Sequence, residues 1–251
     1  EGKVIYQYNN DYSLPRYFIN EERAKAALID KEVRRIKKET KCTFSAEQFE
    51  QNEFKLEYQA HKLVYRDVAR STDERSLIAT LLPEHVFTGN TLNHFVNFSY
   101  KDQAGQVEQI EVKTSELLFL QALLNSLILN YYLRNKISAH ASFYYVYELP
   151  IPEAAPEIKQ QIIEKSFTLL YCKSQSELYE DLRLELNIAE IDPKQQDLVQ
   201  IRAELEILIA QHLYQLDADD WQHLTSTFIY GNDSVTKQEL DKIIDNSQAN
   251  W

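Results

Sequence analysis

Apolar residues fill nearly every position from 117 to 133, and the pattern fits a helix buried on most sides. Thr114 or Ser115 stands before it as an N-cap, and Arg134 and Lys136 lie where cations favour a helix C-terminus. Gln121, Asn125, Ser126 and Asn130 interrupt the run and speak against a membrane span, although its length approaches the roughly 20 residues that a span requires. A polar link at 135–141 turns the chain. The aromatic run 143–147 then reads as a strand, ended by Pro150 and Pro152.

Alternating patterns precede this segment. Residues 63–70 and 76–82 flank the polar stretch Ser71-Thr72-Asp73-Glu74-Arg75, which predicts a β-hairpin with a charged tip. Alternation places Arg66 and Arg70 on one face together with Val64 and Val68. Residues 91–100 and 107–112 predict further strands joined by a turn at 102–105, and 3–8 and 16–19 predict two short ones with a turn at 9–13. A helix is expected at 21–38 with Asn20 as its cap. Beyond Pro152 the pattern turns helical, with amphipathic runs at 157–173 and 176–186 and an Asp192-Pro193 start for a helix to 214. Asp217 caps another helix, and a last one spans about 236–245. The expected class is α+β: a mainly antiparallel sheet packed on the buried 117–133 helix, followed by a helical C-terminal subdomain. The expected units are 1–152 and 153–251.

Composition changes this picture little and charge changes it more. Four glycines and six prolines in 251 residues imply long regular elements. Cys42 and Cys172 have no metal-type spacing and read as reduced thiols, which points to the cytoplasm. No stretch reads as a signal peptide, and the opening Glu1-Gly2-Lys3 with no methionine anywhere is what a piece of a longer protein would show. The net charge of −12 is unevenly spread: 1–152 carry 19 Lys and Arg against 20 Asp and Glu, whereas 153–251 carry 8 against 19. Nucleic-acid contact is therefore open to the first part only. Lys31, Arg34, Arg35, Lys37, Lys38 and Lys41 cluster at the end of the 21–38 helix, where they can grip phosphates or answer the helix dipole.

The hairpin tip carries the most pointed chemistry. Arginine can face two acceptors on guanine or hold a phosphate, and serine or threonine can serve either. The same arginines can instead pair with Asp67, Asp73 or Glu74 and hold the turn. No Pro-Pro dipeptide and no glycine-rich loop occurs, so methyltransferase catalytic motifs are missing, and the six histidines show no metal-type pairing. Asp102 with Glu111-Val112-Lys113 matches a loose Mg²⁺ nuclease pattern, in which two carboxylates bind the metal and the lysine assists water.

Several stretches resemble one family. The run Val68-Ala-Arg-Ser-Thr-Asp-Glu-Arg-Ser-Leu-Ile-Ala-Thr-Leu-Leu-Pro83 is similar to a segment of adenine-specific DNA methyltransferases, among them type IIG and type ISP restriction-modification enzymes and the methylases of BREX- and DISARM-type phage defence. Leu123-Leu-Asn-Ser126, then Tyr-Tyr-Leu and the close on Leu149-Pro-Ile-Pro152, resembles their target-recognition domains and those of type I specificity subunits. Glu1-Gly-Lys followed by Val-Ile-Tyr-Gln-Tyr8 resembles the start of the same region, with Val4 in place of methionine. Arg202-Ala-Glu-Leu-Glu206 through Leu216 resembles its final helix, with Glu206 in place of Asp and Gln215 in place of Gly.

The resemblance implies a target-recognition region that binds double-stranded DNA beside a catalytic methyltransferase domain of the same parent chain. The cofactor would be S-adenosylmethionine, held by that domain and not by this segment. Arg66, Arg70, Ser71, Thr72 and Arg75 are the first candidates for DNA contact. Lys3, Asn90, Thr91, Lys136 and His140 are a second set, in polar links bordering the expected sheet. A protein-interaction module docking a methyltransferase or defence partner through the acidic helices is the alternative, and the nuclease a further one.

Overall fold

A computed structural model describes residues 5–10, 18–89, 91–231 and 234–251. Helix α1, Glu21–Thr40, begins where expected: the Asn20 side chain accepts from Arg23 N, and Glu21 and Glu22 face the positive end of the dipole. Lys41 ends it at φ 64. Helix α2, Ala46–Gln51, has a reciprocal cap between Ser45 and Gln48. Strands β1 (Lys62–Arg66), β2 (Ala79–Leu82) and β3 (Leu92–His94) form an antiparallel sheet in the order β2-β1-β3. Strands β4 (Phe98–Gln103) and β5 (Gln106–Glu111) form a second, two-stranded sheet. Helices α3 (Thr114–Asn125), α4 (Leu127–Arg134), α5 (Phe143–Tyr147), α6 (Pro156–Lys173), α7 (Glu180–Glu185), α8 (Leu198–His212), α9 (Ala218–Ser226) and α10 (Val235–Ala249) follow. The molecule is α+β, as its patterning predicts.

The first sheet is buried on both faces. Leu63, Tyr65, Leu77, Ala79 and Leu81 join the main core with α3, α4, α6, α8, α9 and α10. Val64, Ile78, Leu82 and Leu92 pack on the opposite side with Ile5. A separate cluster joins α1, α2 and the β4–β5 hairpin through Val33, Ile36, Phe49 and Phe98. The main core draws on residues either side of 152, so that position does not divide two cores.

Strand β2 is an edge strand, and its outer edge meets helix instead of water. Unpaired amides there would each cost about 1–3 kcal/mol. The polar residues of the apolar run satisfy them. Asn125 Oδ1 accepts from Ala79 N and its Nδ2 donates to Ala79 O, both at 2.9 Å. Asn130 Oδ1 accepts from Ser76 N at 2.8 Å and Leu77 N at 3.2 Å, and its Nδ2 donates to Leu77 O at 3.0 Å. Gln121 Oε1 accepts from Leu81 N at 2.6 Å. Three side-chain amides thus stand in for a missing neighbour strand.

This ladder explains why the helix is broken. Four residues of helix advance about 6 Å, close to two residues of strand at about 6.8 Å, so Gln121 and Asn125 match Leu81 and Ala79. At about 100° per residue, however, Asn130 would point some 180° away from Gln121 in a straight helix. Ser126 resets the phase: it is extended (φ −63, ψ 153), and α3 and α4 meet there at 59°. Ser126 Oγ donates to Leu123 O and accepts from Leu129 N. The remaining groups at the break are closed by α8, where Glu206 Oε2 accepts from Leu127 N at 2.8 Å and Arg202 donates to Asn125 O. Arg202 and Glu206 pair at 2.8 Å in the interior, and the guanidinium lies over the Tyr8 ring.

Several expectations are corrected. The 117–133 helix is two helices, for the reason just given. The 143–147 run is helix α5, not a strand. Extended pairing is already spent on Ala139 and Ala141, which bond Ala69 N and Asp67 O, so the next residues close their own bonds to Ser142 O. The strands near 100 and 110 pair only with each other and pack on α1. Within the expected 3–8 strand, of which 3 and 4 lie outside the described residues, Tyr6 and Asn9 bond each other's backbone around Tyr8 at φ 60, which makes a turn; the first half of the 16–19 strand, 16 and 17, also lies outside the described residues. The expected start at 193 is a short 3₁₀ turn, and Asp197 caps α8 afresh. Lys113 occupies the cap position of α3, with no side-chain bond from Thr114 or Ser115 reaching that end. Among the described residues no single helix is long and apolar enough to cross a membrane; α3 and α4 reach that composition only as the bent pair.

Asn125→Ala would leave Ala79 N unpaired and Ala79 O with Tyr8 N alone at 3.3 Å, a loss of about 1–3 kcal/mol. Gln160→Ala on exposed α6 surface should change stability by less than about 0.5 kcal/mol. Urea unfolding followed by circular dichroism compares the two, and equal midpoints would deny the ladder its weight.

Candidate nucleic-acid interface

The connection between β1 and β2 runs from Asp67 to Ile78 and is fixed at both ends and in its middle. Asp67 N donates to Thr91 O, and Ala141 N donates to Asp67 O at 2.7 Å. Asp67 Oδ2 lies 2.9 Å from His140 Nδ1, and Oδ1 accepts from Asn93 at 3.3 Å. Across the turn, Asp73 Oδ2 accepts from Arg70 N and Ser76 Oγ donates to Arg70 O. Arg134 holds the tip from beneath, donating to Asp73 O at 2.6 Å and Glu74 O at 3.1 Å, with its guanidinium over Phe228 and Tyr230. The Ser76 amide sits on Asn130, so the turn stands directly on the amide ladder.

The candidates separate on this frame. Arg70 and Thr72 are exposed, and among the described residues the Arg70 guanidinium has no bonding partner. Arg66 is half committed: its Nε donates to Val68 O at 3.0 Å and its Nη2 lies 3.9 Å from Asp73. Ser71 is partly exposed beside them. Arg75 points inward and is only 8% exposed, so it is not presented to a duplex as the hairpin reading expected. Burial, with Arg202 adding to it, pushes its guanidinium down to about 10. Thr91 is exposed, and its carbonyl holds Asp67. His140 belongs to the same support, while Lys136 pairs with Glu148 at 3.1 Å and lies over Tyr132. Lys3 and Asn90 lie outside the described residues.

The structure brings Arg66, Arg70, Thr72 and Arg75 to one cleft of about 770 Å³. Its far wall comes from Lys173 on α6 and from Ser234, Thr236, Glu239 and Leu240 at the start of α10. Sequence spacing gave no hint of that wall, which lies about 100 residues or more away. Glu74 is tied across it to Ser234 Oγ at 3.0 Å, and Lys173 pairs with Glu239. The helix-end cluster is partly structural: Arg35 binds Glu39 at 2.7 Å, approaches Glu32 and Glu57, and donates to Phe98 O.

A second hollow, about 510 Å³, lies beside β3 and α5 and is lined by Tyr65, Asn93, His94, Phe143 and Tyr147. Helix α5 buries Val146 and leaves Phe143, Tyr144 and Tyr147 more than half exposed. The nuclease pattern does not assemble. Glu111 pairs with Phe98 in the ladder while Asp102 sits at the turn, about 14 Å away at strand rise. Asp102 caps Gly105 N, Glu111 pairs with Lys55, and the described residues contain no group of acids, histidines and cysteines able to hold a metal.

Compared with protein-family models, with curated proteins and with solved structures, the chain matches none.

Burial, with Lys62, Lys31 and Arg35 nearby, pushes His94 from its ordinary 6.5 down to about 4. Its folded value lies below its unfolded one, so the stability it contributes is present above pH 6.5 and is lost as pH falls toward 4. In thermal melts across that window, His94→Gln should lose less stability on acidification than the parent protein. Parallel curves would contradict the assignment.

Proposed function

We propose that this chain is the target-recognition region of an adenine-N6 DNA methyltransferase of the restriction-modification or phage-defence kind, acting in the cytoplasm. It reads a short word in double-stranded DNA for a catalytic domain of the same parent protein, where S-adenosylmethionine would bind. The observation that carries the reading is the β1–β2 turn, which offers Arg70, Thr72 and Arg66 together on a support fixed by Asn130, Arg134 and the Asp67–His140 contact. Rigid backbone with exposed arginine and hydroxyl groups suits phosphate and base-edge contacts, since misplacement of such groups forfeits bidentate geometry. The stretches that resemble the methyltransferases also meet in space: the 62–83 hairpin, the 123–126 break and the Arg202–Glu206 pair form one contact. Among the first candidates the burial of Arg75 transfers the DNA role to Arg66, Arg70, Ser71 and Thr72.

A protein-docking role is favoured by one separate observation, the exposure of Phe143, Tyr144 and Tyr147 on α5, because contiguous exposed aromatics mark interfaces. The two surfaces are compatible in one protein: the turn toward DNA and α5 toward the catalytic domain.

Fluorescence anisotropy of a random duplex across a salt series tests the DNA reading. The logarithm of affinity should fall linearly with the logarithm of salt, and Arg70→Ala should flatten the slope by about 0.9. Unchanged affinity and slope in Arg70→Ala and Thr72→Ala would remove the turn from any DNA contact.

A further inference from the structure

The charges in the 770 Å³ cleft do not balance locally. Glu239 is paired with Lys173, Glu74 receives the Ser234 hydroxyl, and Asp73 is taken by Arg70 N and the approach of Arg66. Two guanidiniums remain. Arg70 stands at the rim without a bonding partner among the described residues. Arg75 lies in the floor, 8% exposed, with no carboxylate within ion-pair distance and with Nη1 walled off from any acceptor among the described residues. The Phe228 ring lies 6.0 Å away, and Glu206 and Glu239 act on it only from beyond ion-pair distance while Arg202 opposes them, a weak answer to a buried charge. An isolated buried cation is expensive unless an anion or several acceptors meet it. Its depressed value, about 10, still leaves it charged at neutral pH.

The rest of the cleft has the make-up of a small-molecule site. Tyr6, Ile78, Leu240 and Ile243 supply apolar wall, while Gln7 and Thr236 add an amide and a hydroxyl. Its size falls within the roughly 300–1,000 Å³ typical of ligand pockets. A duplex backbone follows the surface and can meet Arg70; it does not descend to a guanidinium in the floor. A ligand that answers both arginines is therefore small, carries a compact anion, and has a flat or apolar part.

We propose that this cleft binds a nucleotide-sized phosphate ester, its phosphate held between Arg70 and Arg75 and its ring against the Tyr6, Leu240 and Ile243 side. The inference stands without the duplex reading. Two sources share the chemistry: a free mononucleotide, and a single unpaired nucleotide of DNA.

The test is calorimetric titration of the 251-residue chain with deoxyadenosine 5′-monophosphate, with deoxyadenosine as the phosphate-free control. In parallel, anisotropy compares a duplex bearing one unpaired adenosine with its fully paired counterpart. Binding of the monophosphate but not the nucleoside is expected, weakened about tenfold or more by the loss of one charge-assisted contact in Arg70→Ala. Arg75→Met, which keeps length and removes charge, should abolish it. Because that variant can misfold, its melting curve is compared with the parent, and Thr236→Glu, which sets a carboxylate on the exposed far wall of the cleft against the phosphate, serves as an independent block. If the monophosphate gives no heat but the unpaired duplex binds tighter than the paired one, and Arg70→Ala and Thr236→Glu erase the difference, the site stands with DNA as the source. Silence in both arms, or binding indifferent to Arg70→Ala and Thr236→Glu, overturns the proposal whatever the paired duplex does.

Discussion

An edge strand buried against a helix has nowhere to put its outward amides, and that constraint shapes most of this molecule. The outer edge of β2 is enclosed by α3 and α4, which as apolar helices have no backbone groups to offer. Gln121, Asn125 and Asn130 solve the problem with side-chain amides, each carrying a donor and an acceptor on one flat group. The solution has a geometric consequence, because strand and helix repeats drift out of phase within two steps. The break at Ser126 restores the phase, and the broken ends then need partners of their own. Arg202 and Glu206 supply them from a helix 75 residues and more further along the chain. One strand edge therefore ties the sheet, the central helices and the C-terminal helices into a single arrangement.

The site inherits its rigidity from this arrangement. The β1–β2 turn emerges from the end of the ladder, with Ser76 N on Asn130 and the carbonyls of Asp73 and Glu74 on Arg134. Surface turns are ordinarily the mobile parts of a fold. This one has buried supports on the side away from solvent, so Arg70 and Thr72 project from a fixed base. Arg134 and Arg75 do opposite things nearby. Arg134 spends its charge on backbone carbonyls and two aromatic rings, whereas Arg75 is left facing the cleft.

Much of the fold was legible because its signals are local. Asn20 before Glu21-Glu22, Asp217 before Asp219-Asp220, and the alternation around 63–82 each specify an element through neighbours in sequence. The residues Gln121, Asn125, Ser126 and Asn130 were legible as interruptions, which argued for a protein interior and not a bilayer. The purpose of the three amides was not, since their partners lie 40 to 54 residues upstream. The aromatic run at 143–147 misled for a related reason: aromatic residues favour strands only where a strand has a free neighbour. The cleft was half legible. Its arginines sit within ten residues of one another, but Lys173, Ser234 and Leu240 arrive from helices whose acidic composition pointed away from any anion.

Amide hydrogen exchange at the outer edge of β2 tests the central claim most directly. Leu77, Ala79 and Leu81 should exchange only through global unfolding, matching inward-paired Val64 and Thr80 in protection, because side-chain amides close that edge in the native state. If these three exchange orders of magnitude faster than Val64 and Thr80, the edge is open, the ladder does not hold the sheet, and the turn above it has no fixed base.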